Sequence, residues 1–181
     1  RGLVANRDLV VARSFCLNLT QAYPQDVEIW MMRGSLHFQL GELDSVVECV
    51  QHVIILDGQN AGAYLSLGLA QQGLMRTSEA ELAYRDALRI HPGYKQALVQ
   101  LVSLLMAQKR LAETQSLLDS AIVVTPQDAL LHYNLGLVLI GLDQGEDALR
   151  AFERAADLNP SLAEGHYQLG LLHFRKDEYN A

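Results

Sequence analysis

At 181 residues, half of them hydrophobic, the chain carries enough apolar material to bury a core without help from metal or disulfide. Fourteen Lys and Arg against twenty-one Asp and Glu leave a formal charge of -7, which repels a phosphate backbone and excludes nucleic acid as the expected partner. No run reaches the roughly 18 apolar residues of a membrane span, because Gln, Arg, Asp or Gly interrupts every apolar stretch. Cys16 and Cys49 show no CxxC or Cys/His spacing and read as core thiols. Nothing near Arg1 has the charged and then apolar pattern of a secretory leader, and a leader removed earlier would leave no trace. The compartment stays open, the lack of disulfide patterning being compatible with a reducing cytosol.

Taken in chain order, the expected elements obey one period. A helix is expected before residue 26, closed by Pro24, and complete two-helix units follow at 27–60, 61–94, 95–128 and 129–162, with one more helix from Ala163 onward. Pro24, Gly58, Pro92, Pro126 and Pro160 stand thirty-four residues apart, and four of these five are prolines that stop a helix. A second comb, Gly34, Gly68, Val102, Gly136 and Gly170, has the same interval, with a large apolar residue before it everywhere except at Arg33. Between the combs, apolar residues recur three and four apart, as in Ala148, Leu149, Phe152, Ala155 and Ala156, so each unit predicts two amphipathic helices of about fourteen residues. Ser78-x-x-Glu81 and Ser161-x-x-Glu164 read as capping boxes, and Asn60 and Asp128 as helix caps. The residues 177–181 are expected to lie in a turn leading toward a further second helix, as in a fragment, the alternative being a terminal first helix that caps the last unit.

In this pattern the chain resembles the tetratricopeptide-repeat family. Tyr64, Leu67, Gly68, Ala80, Tyr84, Ala87 and Pro92 follow the family motif nearly throughout, as do Leu135, Gly136, Ala148, Phe152, Ala155 and Pro160. Unit one keeps Trp30 and Gly34 but has Val46, Val50 and Val53 in place of the small and aromatic core; unit three has Val102 where Gly is usual. The resemblance implies an all-α, right-handed superhelical solenoid of antiparallel helix pairs, about ten helices in all, in one continuous domain. Small residues belong at the combs because two helices approach closely only where one presents Gly or Ala. Stability then comes from stacking neighbouring units.

The resemblance also implies a concave groove lined by the first helices of successive units, and with it a protein partner. One row of candidate positions holds Met32, Ser66, Gln100, Asn134 and Gln168; a second holds Met31, Leu65, Val99, Tyr133 and Tyr167; a third holds Ser35, Leu69, Ser103, Leu137 and Leu171. The expected ligand is a mostly apolar peptide with its backbone exposed to the amides, each of which offers a donor and an acceptor. The carboxylate clamp of chaperone-binding members is missing, since its places carry Met31, Ser35, Leu65 and Leu69. The repeat domain of O-linked N-acetylglucosamine transferases carries Asn along the amide row, and here only Asn134 matches, so that likeness, like the one to bacterial arrays of such repeats, is partial.

Glu81, Arg85 and Arg89, like Glu146, Arg150 and Arg154, are spaced as a solvated face of the second helices. His132 and His166 take the place of Trp30 and Tyr64, His37 and His173 replace core aromatics, and His91 sits at a helix end, so packing rather than metal is expected. No GxSxG, Walker loop, GxGxxG or HExxH is present, and neither catalysis nor a cofactor is expected of these residues. The leading expectation is a protein-binding scaffold. The alternatives are the recognition arm of a larger glycosyltransferase, sulfotransferase or methyltransferase, and a scaffold that self-assembles through its solenoid ends.

Overall fold

The computed structural model describes residues 2–179, with side chains at 11–172 and 174. Ten α-helices, and no strand among the described residues, follow in order: α1 (Gly2–Ala22), α2 (Val27–Leu40), α3 (Leu43–Leu56), α4 (Ala61–Gly73), α5 (Thr77–Ile90), α6 (Lys95–Ala107), α7 (Leu111–Val124), α8 (Ala129–Gly141), α9 (Gly145–Leu158) and α10 (Ala163–Tyr179). The fold is all-α, and the first helices of the repeats begin at residues 27, 61, 95, 129 and 163. They group into two compact units, Arg1–Leu98 and Val99–Ala181, the division falling within α6. In the first, α1 packs on α2, α2 on α3, α3 on α4 and α4 on α5; in the second, α7 packs on α8, α8 on α9 and α9 on α10. Two helices exceed the expected fourteen residues: α1 has 21 and α10 has 17. α10 continues to Tyr179, through 177–179 of the residues expected to turn, because Arg175, Lys176, Asp177 and Glu178 include neither Gly nor Pro to stop it; 180 and 181 lie outside the described residues.

The turn inside each repeat is a backbone device. Gly41, Met75, Lys109 and Asp143, again thirty-four apart, all have left-handed φ, at 74°, 61°, 59° and 59°. The amide of the next residue then donates back across six residues, from Glu42 to the His37 carbonyl, Arg76 to Gln71, Arg110 to Leu105 and Gln144 to Leu139. These bonds satisfy carbonyls that the helix end would leave bare, the Schellman arrangement. Only the first of the four uses glycine, and a side chain in the left-handed region carries a penalty of roughly 1–2 kcal/mol. Met75 is 86 % exposed and has no packing to lose. Met75→Gly is therefore expected to raise stability by about 0.5–1 kcal/mol, the greater freedom of glycine in the unfolded chain offsetting part of the relief. A lower denaturant midpoint for that variant would contradict this account of the turn.

Caps at the start of the first helices follow local chemistry. Asp26 accepts from the Glu28 and Ile29 amides, Asn60 from Ala63 and Asp128 from Leu130. The two expected capping boxes do not form. α5 begins at Thr77 after Arg76, which makes no side-chain cap, so Ser78 already lies inside the helix; the left-handed Met75 sets that start. Ser161 instead turns back to Asn159, its hydroxyl donating at 2.9 Å.

The helix pairs close on the glycine comb. A Cβ on Gly68 would lie 2.3 Å from the Tyr84 ring, and one on Gly136 would lie 2.6 Å from the Phe152 ring. Both rings are fully buried. Tyr84 donates its hydroxyl to Gln72 Oε1 at 2.6 Å, and burial pushes its phenol up to about 12, so it remains a neutral donor. Each repeat adjusts the two facing positions together. Unit two has Gly68 with Tyr84 and unit four Gly136 with Phe152, whereas unit three has Val102 with Leu118. Unit one has Gly34 with Val50, small at both places. Cys16 and Cys49 are free, buried thiols, and burial raises the pKa of Cys49.

Candidate functional site

Within the first unit the candidate positions lie on α2 and α4. Met31 is half-buried against the core of Val46, Val47, Val50 and Val53, while Ser35 is exposed. Leu65, Ser66 and Leu69 are half-buried, and Ser66 donates its hydroxyl to the Gly62 carbonyl. Met31, Ser35, Ser66 and Leu69 come together on one open cavity of about 270 Å³, which Leu65 does not line. Gly34, Phe38, Gln39, Val46 and Val50 complete the lining, and of these Phe38 is 47 % exposed. The candidate rows miss Phe38, although the sequence carries a signal for the cavity in Val50, which stands where units two and four have aromatics.

In the second unit the positions lie on α6, α8 and α10. Val99, Ser103, Tyr167 and Leu171 are exposed; Gln100, Tyr133, Asn134, Leu137 and Gln168 are half-buried. Along α8 these half-buried residues alternate with the buried Leu131, Gly136, Val138 and Leu139, so the helix turns one face inward and the candidate residues toward its edge. Gln100, Asn134 and Gln168 make no side-chain hydrogen bond among the described residues, leaving their amides available. Tyr133 has a second role. Its ring meets Phe152 at 5.7 Å between centroids, tilted 56°, and with Leu137 it packs on the core of Leu139, Ala148, Ala151 and Phe152.

The histidines correct one sequence expectation. His166 is exposed, so packing does not account for it, and His132 is half-buried. Their Nε2 atoms lie 3.0 and 2.9 Å from the carbonyls of Pro126 and Pro160, and the Trp30 indole N–H reaches the Pro24 carbonyl at 2.9 Å. A carbonyl can only accept, so each imidazole must donate from Nε2. Trp30 is also stacked on His52 at 4.2 Å, with Arg33 over its ring. His37 is buried and bonds Glu42 through Nδ1 at 2.6 Å, Arg13 pairing with the same carboxylate at 3.1 Å. The side chain of His173 lies outside the described residues. No three His, Cys, Asp or Glu residues gather as a metal site among the described residues, and none of the helices searched is long and apolar enough to cross a membrane.

On the second helices, Arg85 pairs with Glu81 at 2.9 Å, while Arg89 turns to Asp86 and Arg150 to Asp147. Most of these partners are well exposed, and such pairs contribute about 0.2–0.5 kcal/mol each.

Family models described as tetratricopeptide repeat match residues 69–137 and 129–162. The protein y4yS of Sinorhizobium fredii is 37% identical over 92 residues, which are 50% of this chain and 50% of that protein. Human protein O-mannosyl-transferase TMTC3 is 27% identical over 135 residues, 74% of this chain and 14% of that protein. The match thus spans half the length of one of these relatives and a small part of the other. Among solved structures, YrrB, a TPR protein with an unusual peptide-binding site, superposes with a TM-score of 0.69 at 18% identity, covering 90% of this chain and 84% of that one. At that identity the likeness is one of fold.

Proposed function

The chain belongs to the tetratricopeptide-repeat family, and from that premise we propose that it is a protein-protein interaction scaffold whose first helices hold a peptide segment of its partner. The observation that carries this reading is the state of the candidate rows. Every one of their residues is half-buried or exposed, and Gln100, Asn134 and Gln168 have no side-chain partner among the described residues. An unbonded amide on an apolar surface suits an extended backbone, which needs a donor and an acceptor at each residue. Tyr167 and Leu171, 65 % and 39 % exposed, supply the neighbouring apolar surface for side chains. The fold of YrrB supports the reading by analogy, since that protein has a peptide-binding site.

The test is a peptide library displayed against the native chain, with the selected peptides measured against an Asn134→Ala, Gln168→Ala variant. Weakening by about 1–3 kcal/mol is expected, roughly five- to 150-fold in Kd. Tyr133 is left intact because its contact with Phe152 would mix folding with binding. Unchanged affinity would remove the amides from the site.

A further inference from the structure

We propose that the cavity of the first repeat is a socket for one aromatic side chain of the bound partner. Gly34, Phe38 and Val50 line the cavity, and one period further along stand Gly68, Gln72 and Tyr84. There the Tyr84 ring fills the space beside Gly68 and its hydroxyl reaches Gln72 at 2.6 Å. In the fourth repeat Phe152 fills the same space beside Gly136. The third repeat fills its pair of places with Val102 and Leu118, both buried. Only the first pairs glycine with nothing larger than valine, and there the cavity lies beside Gly34 and Val50, bounded by Met31, Phe38 and Leu69.

Its shape and lining select the occupant. The wall is apolar through Met31, Phe38, Val46, Val50 and Leu69, with Ser35, Gln39 and Ser66 able to meet a polar edge. A volume of about 270 Å³ lies just under the range of roughly 300–1,000 Å³ that holds drug-sized ligands, so it suits one side chain. A phenyl or phenol ring is what the equivalent space already accepts twice in this chain. Since Met31, Ser35, Ser66 and Leu69 are also groove candidates, the socket deepens the groove reading and rests on it for the ring's source: a Phe or Tyr of the peptide held there.

The experiment uses p-cresol, the tyrosine side chain as a free molecule, and methyl NMR of the native chain. Saturable shifts are expected at Met31, Val46, Val50 and Leu69, and loss of them in Val50→Phe, which supplies the missing ring from within. That variant is expected to keep or raise the native Tm. Among peptides selected on the native chain, replacing the aromatic residue by Ala should cost roughly tenfold or more in Kd, and little on Val50→Phe. Absence of shifts at those methyls, shifts that persist in Val50→Phe, a marked fall in its Tm, or selected peptides without an aromatic residue would each overturn the socket. The p-cresol result is read on the Asn134→Ala, Gln168→Ala variant as well. Native p-cresol binding there, with peptide affinity also unchanged, would fault the amide row while leaving the cavity's preference for a ring intact.

Discussion

Phe152→Ala is expected to lower stability by about 3–5 kcal/mol, the usual cost of deleting a fully buried aromatic side chain. The ring lies at the centre of the second unit's core, between the close approach of Gly136 and the Tyr133 ring, so neighbours can collapse into the void only by moving backbone. The same geometry makes a sharper test through a double-mutant cycle. Gly136→Ala alone forces a methyl to 2.6 Å from the ring and is expected to be destabilising by about 1–3 kcal/mol. In the Phe152→Ala background that methyl meets no ring, and the substitution should turn neutral or stabilising as alanine replaces glycine in a helix interior. Denaturant midpoints for the four proteins measure the coupling. Additive effects would mean that the comb glycine has some other purpose.

The second large effect separates two glycines that a sequence comparison treats as equivalent. Gly68→Ala is expected to cost about 3 kcal/mol, at the top of the overpacking range, because Cε1 and Cδ1 of Tyr84 lie 2.3 and 2.5 Å from the new methyl. The ring is fully buried and its hydroxyl is tethered to Gln72, so it cannot swing aside. Gly34→Ala places its methyl 3.5 Å from Cys49 Cβ, an ordinary contact, and is expected to raise stability by about 0.5–1 kcal/mol. Equal losses for the two variants would show that unit one is packed as tightly as unit two.

The starts of the first helices were legible in the sequence because proline and the Asx caps act locally, on the residues that carry them. The turns within repeats were not, since the left-handed positions are held by Gly41, Met75, Lys109 and Asp143, and only one of these residue types announces such a conformation. That omission explains the misplaced capping box. Ser78 and Glu81 have the right spacing, but the turn at Met75 starts the helix one residue before Ser78. The candidate rows could be located because the period fixes which positions of a helix share a face. Whether a residue on such a row also serves the core depends on a neighbour's side chain, as Tyr133 shows with Phe152. The cavity was visible only as a departure at Val50; its volume depends on Met31, Phe38, Ser66 and Leu69 around it.

Tryptophan and histidine differ in size and shape, yet Trp30, His132 and His166 each reach with a ring nitrogen to the carbonyl of the proline six residues before it. At this place tryptophan and histidine are synonyms, and any scoring scheme that counts side-chain bulk or hydropathy will treat their exchange as a loss. In these three repeats the position spells an N–H held at a fixed reach, whereas Tyr64 and Leu98 take the same place without one. Glutamine, whose amide N–H lies at a similar reach, writes the same word, whereas phenylalanine, closer to tryptophan by every common measure of resemblance, does not.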